Sequence, residues 1–298
     1  MKRKFKSIYR HVLQVISIWT DANAPAMGAA TAFYTIFAIA PLFVLVLALA
    51  GLCFGKEAAQ HELFGQISSL VGQKSADAIQ SVLAAANRPK AGMLATICGF
   101  ITLFLGASGV FIQLQQSLDA IWNVRPKSAG WRSFLKNRLL SFASLLTIGF
   151  LLLVSLVVSA AITAAGNWLQ GTLPAPHVVL HIVNFVISLG IVTLLFAMMF
   201  KILPDVKIRW RDVWIGAFIT ALLFTIGKFL IGLYLGRGSV SSAYGAAGSF
   251  VVVLLWVYYS VQLLLFGAAS TRIYANEFGS HIRPSENAEF TGQKKKAS

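Results

Sequence analysis

Six stretches of this chain run past twenty residues with almost no charge, and that decides the solvent it folds in. They are Thr31–Phe54, Gly92–Leu114, Leu139–Ala165, Val178–Phe200, Val213–Leu235 and Ala246–Thr271, and Lys228 is the one charged residue among them. A bilayer is crossed by about 20 apolar residues at roughly 1.5 Å each. Hydrophobic residues make up 57% of the 298 and charged residues 12%, where a water-soluble domain has roughly 25% charged. A helix satisfies its own backbone in hydrocarbon. Barrel strands would be about ten residues of strict alternation, and these runs do not alternate. The expectation is an all-α integral membrane protein with about six transmembrane helices.

Lys and Arg orient it. Nineteen fall in the N-terminal segment, the segments between spans two and three and between four and five, and the C-terminal tail. Five fall in the opposite loops, and Lys228 completes the set. Short cytoplasmic loops carry the excess of basic residues, so both termini are expected in the cytoplasm. This asymmetry accounts for most of the formal net charge of +15, with the basic segments lying against anionic headgroups. A solvated tail is a simpler reading of Lys294-Lys295-Lys296 than a nucleic-acid contact. Trp122, Trp131, Trp210 and Trp214 are expected at the cytoplasmic interface and Trp168 at the outer one, with Trp256 inside the sixth span.

Residues 1–30 read as a cytoplasmic basic segment whose Phe5, Ile8, Tyr9, Val12, Ile16 and Trp19 recur at helical spacing. Such a helix lies in the membrane interface. The Ala22-Asn23-Ala24 stretch resembles a signal-peptide cleavage site, but the preceding apolar run is short, contains Gln14 and is followed by Pro25. Residues 31–271 form the six-helix domain. Its outer loop, 55–91, holds two short amphipathic pieces separated near Gly72–Lys74. Residues 272–298 form a basic cytoplasmic tail, expected to be partly disordered. Cys53 and Cys98 are too few for a disulfide framework; a single bridge and two buried thiols both remain open.

No catalytic constellation is present. The histidines are scattered, and no His-Glu-x-x-His, Gly-x-Ser-x-Gly or Walker loop occurs. Phosphodiester hydrolysis usually relies on a metal held by carboxylates or imidazoles, and no such set can be assembled. No cofactor, metal or enzymatic activity is expected. The sharpest feature is Lys228, because charge inside a span is costly and marks function by default. It either contacts an anion in a translocation path or snorkels to the outer headgroups. Pro41 should kink the first span. Gly106 and Gly109 in the second, Gly232 and Gly236 in the fifth, and Gly245 and Gly248 at the start of the sixth are candidates for close packing or hinges. Tyr34, Gln113, Gln116, Tyr258, Tyr259 and Gln262 are polar candidates that either line a path or join helices by hydrogen bonds.

Three stretches carry a resemblance. Gly28-Ala-Ala-Thr-Ala-Phe-Tyr-Thr-Ile-Phe-Ala-Ile-Ala-Pro41 is the first. Gly106-Ala-Ser-Gly109 with Leu118-Asp-Ala-Ile-Trp122-Asn-Val is the second. Tyr244-Gly-Ala-Ala-Gly248, Leu255-Trp-Val-Tyr-Tyr259 and Phe266-Gly-Ala-Ala269 make the third. Together they resemble the BrkB/YihY family of bacterial inner-membrane proteins, from about Ser17 to Glu277. The resemblance implies six spans in the plasma membrane. It also brings the labels virulence or serum-resistance factor and ribonuclease BN, the latter opposed by the missing metal site. No catalytic residue carries over. The expectation is a transporter or flippase-like protein for an anionic or lipidic envelope substrate. The alternative is a non-transporting assembly or scaffold protein. Membrane lipids are the expected partners, nucleic acid is not, and the sequence leaves the oligomeric state open.

Overall fold

The computed structural model describes residues 2–35, 38, 64, 109–127, 177–236 and 248–291. The helices are α1 (Lys2–Asp21), α2 (24–35), α3 (109–122), α4 (His177–Ile202), α5 (Trp210–Gly236) and α6 (Gly248–Glu277). The strands are β1 (Val124–Pro126), β2 (Val206–Lys207), β3 (Arg283–Pro284) and β4 (Ala288–Phe290). Among the described residues three helices, α4, α5 and α6, are long and apolar enough to cross a membrane. They match the fourth, fifth and sixth expected spans. The third expected span, most of the first and second, nearly all of loop 55–91, and Cys53 and Cys98 lie outside the described residues.

The first corner is built by polar chemistry. Asn23 takes a left-handed backbone, φ 54°, which asparagine tolerates at a helix end. Its N–H donates to Thr20 O, and Ala24 begins α2 with Pro25 in the first turn, where a missing N–H costs nothing. The stretch with the look of a cleavage site is therefore this corner, with Ala24 fully buried. Helix α1 rests on α6 through Val15, which is buried, and Trp19, which is partly so. The stripe Tyr9, Val12 and Ile16 read from the sequence stays exposed beside it.

The seam between α5 and α6 is a close helix approach. In α5, Thr220 Oγ1 donates to Gly216 O at 2.7 Å; in α6, Thr271 Oγ1 donates to Gly267 O at 2.8 Å. Each threonine sits over the other helix's glycine. A methyl on Gly216 would overlap the Thr271 hydroxyl and lie 3.2 Å from Thr271 Cα, and one on Gly267 would overlap the Thr220 hydroxyl. Ala217, Ala221, Ala268 and Ala269 fill the surrounding surface and are buried. Lipid tails are as apolar as leucine, so burial alone does not drive helices together in a membrane; close packing of small residues does.

One end of the bundle is closed by a clasp. The chain leaves α6, turns at His281 (φ 55°), and pairs twice with earlier segments. Strand β3 lies antiparallel to β2, with Val206 opposite Pro284, and β4 lies antiparallel to β1, with Val124 opposite Phe290. Buried Asp212, in the first turn of α5, accepts from Ser280 N at 3.0 Å and Ser280 Oγ at 2.7 Å. Arg272 Nη1 donates to Ile121 O at 2.6 Å, tying α6 to α3. The ion pairs Arg125–Glu289 and Lys207–Glu286, each 2.9 Å, are too exposed to add more than about 1 kcal/mol each. Within the tail expected to be partly disordered, the residues as far as Thr291 are folded. Trp122, expected at the interface, is buried in the core beneath the clasp with Leu118, Ile121 and Phe200.

Asp119, on α3, is buried against this end, and its Oδ1 accepts the Asp205 N–H at 2.7 Å. Burial pushes its carboxyl up to about 7; the Asp205 N–H pulls down, and the nearby Asp205 carboxylate pushes up further. Asp205 is itself raised by burial. An acid with a raised folded pKa binds its proton more tightly when folded. Its stabilisation is complete below about pH 4 and lost as pH rises to about 7.

Two predictions follow from these contacts. Replacing Asp119 with Asn keeps the acceptor without the charge. The variant should melt higher than the native protein at pH 8, by a margin of up to roughly 4 kcal/mol, and the two should converge near pH 4; a constant offset across pH would remove Asp119 as the source. The Gly216→Ala change should lower stability by about 1–3 kcal/mol in thermal unfolding. Gly190→Ala, whose methyl meets nothing within 4 Å, should leave it unchanged or raised by about 0.5–1 kcal/mol. Equal melting of both would mean that the seam does not limit packing.

Candidate substrate path and the helix seams around it

Lys228 lies on α5 one residue past Gly227, on the side of the Gly216–Thr271 seam away from the clasp. It is half-buried. Among the described residues its ammonium has neither a hydrogen-bond acceptor nor an acidic partner. Its flanking neighbours Ile226, Phe229 and Leu230 are exposed apolar side chains. The Lys228 stripe of α5 continues downward through Phe224, whose ring meets Phe196 edge-on at 5.7 Å and Trp256 at 6.0 Å. Lys228 thus sits immediately above an aromatic layer that joins α4, α5 and α6.

The polar candidates on α6 divide between two seams. Tyr259 faces α5: a methyl on Gly227 would overlap its hydroxyl. Gln262 faces α2: its Nε2 donates to Ala24 O at 3.2 Å, and its amide occupies the space left by Gly28. The amide oxygen, Oε1, is buried and accepts from nothing among the described residues. Tyr258 lies beside Gln262, 3.5 Å from the position a methyl on Gly28 would take. Tyr34 is partly exposed, stacked edge-on with Phe33 at 6.1 Å, and its ring closes over Gly109 of α3.

On α3, Gln113 is half-buried and its carbonyl accepts from Ser117 Oγ, while Gln116 is exposed. The structure therefore brings Tyr258 and Gln262 together at α2, sets Tyr259 of α6 against Gly227 of α5, one residue before Lys228, and leaves Gln116 apart. Gly232 and Gly236 lie in the last turns of α5, and Gly248 opens α6. Pro41, Gly106 and Gly245 lie outside the described residues. No group of three or more metal-ligating side chains occurs among the described residues.

The sequence reading passed over Gly216, Thr220, Gly267 and Thr271. Their signal was present, since each pair is a small residue, three of any kind, and a small residue. It did not stand out because Gly232 and Gly236 offer the same pattern in the same helix. Asp212 was also passed over, because a first-turn acid ordinarily faces solvent at a helix N-terminus.

The comparisons with known proteins agree with this architecture. A UPF0761 membrane protein of Tolumonas auensis is 26% identical over 260 residues, covering 85% of this chain and 81% of its own length. One from Verminephrobacter eiseniae is 29% identical over 246 residues, and one from Methylibium petroleiphilum 29% over 256. The chain spans only 56% and 58% of these last two, while 80% and 84% of the chain is covered. No solved structure matches. A family model described as virulence factor BrkB matches residues 15–291. With the α5–α6 seam and the whole clasp inside that match, the chain belongs to the virulence factor BrkB family and is an α-helical membrane protein.

Proposed function

We propose that this protein is a non-enzymatic transporter or flippase-like protein of the bacterial inner membrane, acting on an anionic or lipidic envelope substrate. In this reading it has six spans and both termini in the cytoplasm. The observation that carries the reading is Lys228. A charge at the centre of a span costs about 2.5–3.5 kcal/mol on insertion scales, less towards the interface. Here it stands half-buried above an aromatic layer with no counter-ion among the described residues. An anion passing along α5 would supply the missing charge. Tyr259 on the adjoining face of α6 offers the substrate a hydroxyl, and Gln262 Oε1 offers an acceptor further along that helix.

The basic segments support the orientation. Arg125, Lys207 and Arg283 lie in strands of the two clasp pairings, so three of the four basic segments meet at one end. A reporter fused after Thr291 should be active only in its cytoplasmic form; activity in the exported form would reverse the topology.

A competing reading, a non-transporting envelope scaffold, draws on the way Tyr34, Tyr259 and Gln262 each lie against a glycine of a neighbouring helix. Proteoliposomes separate the two. The native protein should move a fluorescent phosphatidylglycerol between leaflets or pass iodide. Lys228→Ala should abolish that flux while Lys228→Arg retains it, with both variants melting like the native protein. Flux that survives Lys228→Ala would remove Lys228 from the path. No flux of either probe through the native protein would favour the scaffold.

A further inference from the structure

We propose that the groove between α4 and α5 is a selective binding site for one anionic phospholipid, with an acyl chain against Gly190 and the headgroup at Arg211. The groove holds about 550 Å³ and is lined almost wholly by apolar side chains, among them Val186, Phe218 and Ile219. Gly190 forms part of the lining, and it differs from six other glycines of the described helices and the clasp. Gly28, Gly109, Gly216, Gly227, Gly267 and Gly279 each have a neighbour's side chain pressed into the space a Cβ would take; at Gly190 that space is open for 4 Å. Packing among the described residues does not require this glycine, and its missing side chain deepens the groove. Thr193 Oγ1 donates back to Leu189 O at 2.7 Å, so the lining hydroxyl is already engaged and the occupant it suits is hydrocarbon.

The stripe of α5 that lines the groove runs on to a basic residue. Arg211, Trp214, Ile215, Phe218 and Ile219 follow one another at helical spacing on a single stripe of α5, and all are exposed. From Arg211 to Ile219 is eight residues, about 12 Å along the axis, which carries the stripe from the headgroup level into the hydrocarbon. Trp214 lines the groove and is partly exposed, as an interfacial tryptophan is. Two charges that could confuse the site are turned away. The Asp212 carboxylate, which would repel a phosphate, is buried under Ser280, and the Lys201 ammonium is engaged by Ile208 O. Arg211 has no acidic partner among the described residues. A guanidinium one turn along α5 from the lining of an apolar groove, with no carboxylate facing it among the described residues, is complementary to a phosphodiester carrying net negative charge. The inference stands apart from transport: it concerns a lipid held on the flank of the bundle and does not depend on Lys228.

Native mass spectrometry of the purified full chain, equilibrated with dioleoyl phosphatidylglycerol or dioleoyl phosphatidylcholine in detergent, tests it. The native protein should retain one phosphatidylglycerol in excess of phosphatidylcholine. Arg211→Gln should lower that preference about fivefold, the worth of one interfacial basic residue. Gly190→Leu, which grows into open space and should melt like the native protein, should displace the lipid of either headgroup. Equal retention of the two lipids by the native protein would overturn the proposal in favour of unselective lipid contact, as would phosphatidylglycerol retention unaffected by Gly190→Leu. A dimer of the native chain that Gly190→Leu converts to monomer would overturn it in favour of an interface between copies.

Discussion

The seam where Thr220 covers Gly267 and Thr271 covers Gly216 is the contact on which the rest of the described bundle depends. In water, α5 and α6 would associate to hide apolar surface. In hydrocarbon that drive vanishes, and two leucine-faced helices gain little over leucine against lipid. What remains is contact density, which requires backbones to approach closely. Each glycine provides the space, and each threonine fills it without leaving its hydroxyl unpaired, because it donates to the carbonyl four residues back. An interhelical hydrogen bond in a membrane averages only about 0.6 kcal/mol. The seam therefore rests on fit, and the threonine hydroxyls are satisfied within their own helices.

Once α5 and α6 are locked, the clasp follows from geometry. The C-terminal end of α6 and the N-terminal end of α5 are brought together. The chain beyond Glu277 can then fold back so that Ser280 reaches Asp212 and strands β3 and β4 reach β2 and β1. Four helix ends are joined by backbone pairing, a mode of attachment that depends little on salt. The buried Asp119 at this end makes the joint sensitive to pH: below about 7 it is a neutral acceptor for the Asp205 N–H, and above that it is a charge in a poorly solvated place.

How much of this was legible in the sequence depends on which physical term sets each feature. The apolar runs gave α4, α5 and α6 almost to their ends, since membrane thickness sets run length. Helix α6 runs on to Glu277, six residues past the apolar run, because Arg272 finds a carbonyl at Ile121. Hydropathy marks where lipid ends, which is a different boundary from where hydrogen bonding ends. The stripe of α1 was read correctly as apolar, but which flank meets protein is a tertiary matter, and Val15 was not in the stripe. The folded tail was hidden because two- and three-residue strands carry no periodicity, and a segment rich in Ser, Glu and Asn resembles a solvated one. The candidate site was legible as a set of residue types and not as an arrangement. Tyr258, Tyr259 and Gln262 are neighbours in sequence, yet they divide between α2 and α5 because successive helical residues point 100° apart.

The same arrangement bears on where a transporting bundle could move. The aromatic layer of Phe196, Phe224 and Trp256, the α5–α6 seam and the clasp occupy one continuous length of the helices, and each couples at least two of them. Rearrangement there would have to break backbone pairing, overlap a threonine on a glycine's neighbour, or unstack an aromatic layer, all in one place. Lys228 lies just beyond that length. Past it the described part of α5 exposes Phe229 and Leu230. In a transporting bundle locked along this length, Lys228 would stand at the edge of the locked part, with no acidic partner among the described residues. A bundle that only presents surfaces needs no charge there, and a leucine in place of Lys228 would spare it the cost of inserting one.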